Sequence, residues 1–162
     1  MRKSVKEMAN SDGYIQYAAE AEEVLTDEEI LVLQRHFERE HPNVRVQTRF
    51  NYAWGLTKGN KKQQQKHGIE MMHEIYDKYP ERRRECMYYL AMGYYRTGEY
   101  NNARVHIERL LALEPSNTQA RDLRKRIEDK LTREGLIGLA MTGGVVAIVG
   151  IAAAAIFGRK SK

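Results

Sequence analysis

Pro42, Pro80 and Pro115 are the only prolines in this chain of 162 residues, and they stand 38 and 35 positions apart. Proline lacks a backbone donor and pushes the residue before it out of the helical region, so each one marks a place where a helix must stop. Between them no segment sustains apolar–polar alternation, whereas apolar spacings of three and four recur. The chain is therefore read as all-α, built from helices of similar length. The first opens at Thr26-Asp27-Glu28-Glu29, which has the spacing of a capping box, and ends near Pro42. Others follow at about 44–58, 62–79, 81–97 and 100–113, and a sixth opens near Asn117. Ile30, Leu33 and Phe37 form the apolar stripe of the first; Leu123, Ile127 and Leu131 form that of the last. Residues 1–25 carry few large apolar side chains and read as an N-terminal arm, with at most a short helix around Tyr14–Val24.

Helix pairs at this spacing call for a repeat search. Placing Tyr52-Ala53-Trp54-Gly55-Leu56 on Leu90-Ala91-Met92-Gly93-Tyr94 also brings Gly68 onto Ala103, Met72 onto Ile107 and Pro80 onto Pro115. From the small residue to the proline is twelve positions in both units. The second unit resembles the tetratricopeptide pattern, with Leu90, Ala91, Tyr94, Ala103 and Pro115 at the consensus spacing. The first is a degenerate copy whose connection, NKKQQQ, is about three residues longer. Small residues fall where paired helices approach closely, and a proline closes each unit.

The C-terminal part obeys a different rule. Residues 135–158 hold no charge over 24 positions, about 36 Å as a helix against a hydrocarbon core of about 30 Å. Ten of them are Leu, Ile, Val or Phe, worth about −3 to −6 kcal/mol of insertion before the glycines and Thr142 reduce it. Two small repeats cannot bury such a helix on every side. The expected organisation is thus an arm (1–25), a cytosolic helical domain (26–134), a transmembrane tail anchor (135–158) and a basic tail (159–162). With four residues beyond the span, insertion follows translation and the helical domain faces the cytosol. Arg159, Lys160 and Lys162 are the targeting candidates, since moderate hydrophobicity with a basic flank is the pattern of tail anchors in the mitochondrial outer membrane and peroxisomes. The pairs Ala140/Gly144, Gly143/Ala147 and Gly150/Ala154 could support homo-oligomerisation through the span, or simply keep its hydrophobicity low.

Charge and chemistry exclude several classes. The net charge is +5, but without the three basic residues of the tail 24 basic residues face 22 acidic ones, so no nucleic-acid partner is expected. Cys86 is the single cysteine, which excludes an intramolecular disulfide and suits a reducing compartment. The N-terminus has no apolar stretch of a secretory signal. His36, His41, His67, His73 and His106 show no metal-ligand spacing and read as solvated, so no metal is expected. No Gly-rich phosphate loop occurs, and no cofactor is expected. Cys86 follows Arg82-Arg83-Arg84-Glu85 near a helix start, where a thiol pKa can fall, but structural packing is the simpler reading. No enzymatic activity is expected.

Three segments carry a family resemblance: VQTRFNYAWGLTKG (46–59), PERRRECMYYLAMGYYRTGEYNNAR (80–104) and the Gly-rich span after LTREGLIG (131–138). Together they resemble the mitochondrial fission 1 protein family in its fungal-type form, over about residues 26–162. The resemblance implies a six-helix bundle with two tandem tetratricopeptide-like repeats and one C-terminal transmembrane helix. It also implies recruitment of a dynamin-related GTPase, in fungi through a fission adaptor protein with a coiled coil and a β-propeller, to mitochondria and peroxisomes. In tetratricopeptide domains the first helix of each unit lines the concave face. That register points Glu85, Tyr88, Met92, Tyr95 and Arg96 into a partner groove, with Gln47, Phe50, Trp54, Thr57 and Lys58 from the first unit. Glu85, Met92 and Tyr95 match the family's adaptor-binding positions, while Trp54 suits a groove and a core equally. The alternative is a membrane-anchored co-chaperone or import receptor, which would need a basic clamp for a terminal carboxylate.

Overall fold

A computed structural model of the chain describes residues 23–157, with side chains through residue 137. Among them are six α-helices: α1 (Asp27–Arg39), α2 (Val46–Thr57), α3 (Lys62–Lys78), α4 (Arg83–Thr97), α5 (Tyr100–Leu113) and α6 (Thr118–Phe157). A 3₁₀ turn over Pro80–Arg82 precedes α4, where the sequence suggested a helix from 81 onward. The capping box forms: the Thr26 hydroxyl accepts from Glu29 N at 3.3 Å, and the Glu29 carboxylate accepts from Thr26 N at 2.9 Å. Ile30 and Leu33 are buried, and half-exposed Phe37 lies 5.1 Å from the Tyr52 ring. After α1, the Glu40 carboxylate accepts from Arg45 N at 3.0 Å and from the Thr48 hydroxyl at 2.9 Å, and pairs with the Arg45 guanidinium. One side chain thus fixes the entry into α2.

The two helix pairs stack in chain order: α2 on α3, α3 on α4, α4 on α5, with α1 against α2 and α2 reaching α4. The extra residues of the first repeat are mostly helix rather than loop, because Lys62–Gln65 belong to α3. Lys and Gln are good helix formers, and the buried Gln65 amide donates to Gly59 O at 2.7 Å, closing the turn. Gly68 marks the closest approach of α3 to α2. A Cβ there would lie 2.7 Å from both Ala53 O and Thr57 N, backbone atoms that cannot yield. The matching position, Ala103, tolerates a methyl and is fully buried. Gly98 has a separate cause: its φ of 83° ends α4, with Glu99 N donating to Tyr94 O at 2.8 Å.

Helix α4 is the axis of the core. Cys86, Leu90, Ala91 and Met92 are all fully buried, so it buries every face rather than one stripe. Ala53, Met72, Ile75, Ile107 and Leu110 surround the same interior. Asn117 caps α6 by accepting Ala120 N at 3.0 Å, and Ala120, Leu123 and Ile127 are buried. Leu131 is only partly buried. The first compact unit ends at Ile127; the second begins at Glu128 and is helical to Phe157. Among the described side chains no helix is long and apolar enough to cross a membrane. The expected span lies almost wholly beyond them, as do residues 1–22 and the tail 159–162.

One expectation is corrected. His73 and His106 are not solvated: both are half-buried against Tyr94, His73 Nε2 at 3.0 Å from the Tyr94 hydroxyl and the His106 ring stacked at 12°.

Candidate functional site

On α2, Gln47, Phe50 and Trp54 fall at spacings of three and four, as do Glu85, Tyr88, Met92 and Tyr95 on α4, so each set shares a helix face. The structure joins the two faces at their starts. The Phe50 ring meets Tyr89 edge-on at 5.5 Å, and Tyr89 meets Tyr88 at 5.3 Å. Arg82 lies 5.9 Å above the Phe50 ring, donates to Gln47 Oε1 at 2.7 Å and to Glu85 Oε2 at 2.8 Å. The ends are joined as well. Lys58 Nζ sits 4.8 Å over the Trp54 ring and pairs with Glu23 at 3.2 Å. Lys58 O accepts from Leu25 N at 2.9 Å and from Arg96 Nη2 at 3.3 Å, while Arg96 Nη1 donates to Glu23 O at 3.1 Å. Starts meet starts and ends meet ends, so α2 and α4 run parallel, as tandem repeats require.

The seven groove candidates differ in exposure. Phe50, Trp54, Tyr88, Met92 and Tyr95 are buried, Met92 completely. Glu85 keeps 44% of its side chain exposed, and Arg96 is intermediate. Met92 is as buried as Ala91, so exposure does not distinguish the expected groove face from the packed face. Thr57, also read as groove, turns its hydroxyl back to Trp54 O at 2.7 Å. Burial lowers the Arg96 pKa from its ordinary value.

Three residues of this face escaped the sequence reading. Arg82 was visible only as part of a basic run, although its three-residue spacing to Glu85 is an ion-pair signal. Tyr89 was masked by its neighbour Tyr88. Glu23 meets Lys58 across 35 positions, with no local pattern to announce it.

Cys86 sits in the core as a packed side chain. It is fully buried, and burial chiefly, then Glu85, pushes its thiol up to about 12 against the smaller pull of Arg82. The lowering expected at a helix start is overturned by desolvation. Among the described residues no group of three or more His, Cys, Asp or Glu could hold a metal ion.

Two family models match the chain: the Fis1 N-terminal tetratricopeptide repeat over residues 47–78, and the Fis1 C-terminal tetratricopeptide repeat over residues 84–136. These bounds bracket α2–α3 and the stretch from α4 into α6. The mitochondrial fission 1 protein of Yarrowia lipolytica is 44% identical over 151 residues, covering 93% of this chain and 98% of the relative. Yeast Fis1, solved in complex with an Mdv1 fragment containing N-terminal extension and coiled coil domains, superposes with a TM-score of 0.72. It is 33% identical and covers 77% of this chain and 99% of that one. Yeast Fis1 complexed with a fragment of yeast Caf4 gives a TM-score of 0.54 at 34% identity, covering 59% of this chain and 99% of that one. With two matching repeat models and 44% identity over 93% of the chain, the chain belongs to the mitochondrial fission 1 protein family.

Proposed function

We propose that this chain is a tail-anchored adaptor that recruits organelle-fission machinery to a membrane. The face of α2 and α4 receives an apolar helix of a fission adaptor protein, which in turn brings a dynamin-related GTPase. The observation that carries this reading is that yeast Fis1, sharing the fold at 33% identity, binds fragments of Mdv1 and Caf4. The aromatic and methionine content of the face suits a helix-in-groove contact. Because Phe50, Trp54, Tyr88, Met92 and Tyr95 are buried, docking requires the face to open first. Residues 135–158 hold the domain on the mitochondrial outer membrane, and also on peroxisomes, with Arg159, Lys160 and Lys162 directing the choice of membrane. Confinement to a surface raises local concentration, so a weak groove suffices to drive assembly. A co-chaperone role fits less well: Arg82, Lys58 and Arg96 are already engaged by Glu85, Gln47 and Glu23 rather than forming an empty carboxylate clamp.

The test is complementation in fungal cells lacking their own copy, with the chain labelled at its N-terminus. The expected result is label on the mitochondrial outer membrane, restored mitochondrial division and GTPase foci that coincide with it. Correct localisation without recruitment of adaptor or GTPase would overturn the reading.

A further inference from the structure

We propose that His73, Tyr94 and His106 form a proton-sensitive joint that fastens α3, α4 and α5 together while both imidazoles are neutral, and loosens when they take up protons. The three residues come from three helices and from both repeats, so the cluster lies on the contact between the units. His73 Nε2 and the Tyr94 hydroxyl share a hydrogen bond at 3.0 Å. The His106 ring stacks on Tyr94 at 5.6 Å, and its centroid is 5.4 Å from that of His73. Two imidazolium ions at that separation repel each other in a half-buried site. His106 Nδ1 is buried and has no hydrogen-bond partner among the described residues. With the ring proton on Nε2 this nitrogen is an unpaired acceptor; protonation turns it into a donor with no acceptor and adds a buried charge, the costlier of the two states.

The charged groups around the cluster do not reverse this. From α3, Asp77 favours a charge on His73, but burial outweighs it and the His73 pKa is lowered. From α5, Arg109 disfavours a charge on His106. From α4, Tyr94 contributes only a neutral hydroxyl, whose own pKa is raised by burial and then by Glu99 just beyond the helix end. Burial first, then His73 and Arg109, hold His106 down to about 4. The sign follows from linkage: a histidine ordinarily near 6.5 binds its proton first in the unfolded chain. The stabilising contribution is complete above pH 6.5 and is lost as pH falls toward about 4. The contribution of Glu40, held down to about 2 chiefly by its hydrogen bond from Arg45, is lost at lower pH, from 4.5 downward. Tyr94 is flanked by Gly93 and Tyr95, so loosening the joint also disturbs the α2/α4 face.

The experiment uses the full chain in non-ionic detergent micelles, comparing thermal midpoints by helicity from pH 7.5 to 4.5 with ring-nitrogen NMR titrations of the histidines. The expected result is a midpoint that falls through this window, with the His73 ring protonating below its ordinary value and the His106 ring still largely neutral at pH 4.5. In His106→Phe, which keeps the stacked ring, or in His73→Gln, which keeps a hydrogen-bonding group for Tyr94, the fall shrinks by at least half. If His106→Phe fails to fold, His73→Gln and the unsubstituted titrations still decide. Rings that titrate near 6.5, or a pH slope unchanged in the folded variants, would overturn the proposal.

Discussion

Glu85→Lys tests the partner face without dismantling the domain. Of the seven groove candidates Glu85 is one of only two that are not buried, with 44% of its side chain exposed, and its described ion pair is with Arg82 at 2.8 Å. An ion pair this open contributes about 0.2–1 kcal/mol. Arg82 would keep its bond to Gln47 and its place over Phe50. For a domain of this size the loss corresponds to a fall in melting temperature of at most about 8 °C. At the interface the same change replaces a carboxylate by a cation beside Arg82, which should cost an adaptor helix about 1–2 kcal/mol, or roughly 5–30-fold in affinity. Titration calorimetry of the full chain in micelles against an adaptor fragment with a coiled coil, beside a thermal melt, separates the two effects. A near-native melt with affinity unchanged within twofold would refute the placement of Glu85 on the partner face.

Met92→Asp combined with Tyr95→Ala should collapse the fold rather than spare it. Met92 is fully buried, and an unpaired carboxylate there should cost about 4 kcal/mol or more, seen as loss of cooperative melting. Deleting residues 2–25, which removes the contacts of Glu23 and Leu25 with Lys58 and Arg96, should change adaptor affinity at least a few fold; identical titration curves would end that idea. Residues 135–162 fused alone to a fluorescent protein should reach the mitochondrial outer membrane, and a purely reticular pattern on imaging would count decisively against it.

Several helix starts and stops were legible in the chain, because their causes are local, although the 3₁₀ turn over Pro80–Arg82 and the unbroken run of α6 to Phe157 were not. Thr26 and Glu29 cap within three residues, Pro80 and Pro115 forbid continuation, and Gly98 supplies the left-handed turn that closes α4. The tandem repeat was legible too, since Gly68 and Ala103 record how closely two backbones approach. Burial around α4 was not. A period of 3.6 assigns one inward stripe, whereas α4 is enclosed by α2, α3 and α5, and Met92 and Ala91 end equally hidden. Lys58 is fully buried and pairs with Glu23, a partner 35 positions away that no local pattern announces. His73 and His106 carried no mutual signal at all, for only the stacking of the two repeats sets both against Tyr94. Local chemistry chooses helices and their stops; which side chains then lose water depends on contacts between distant segments, and only the folded chain supplies those.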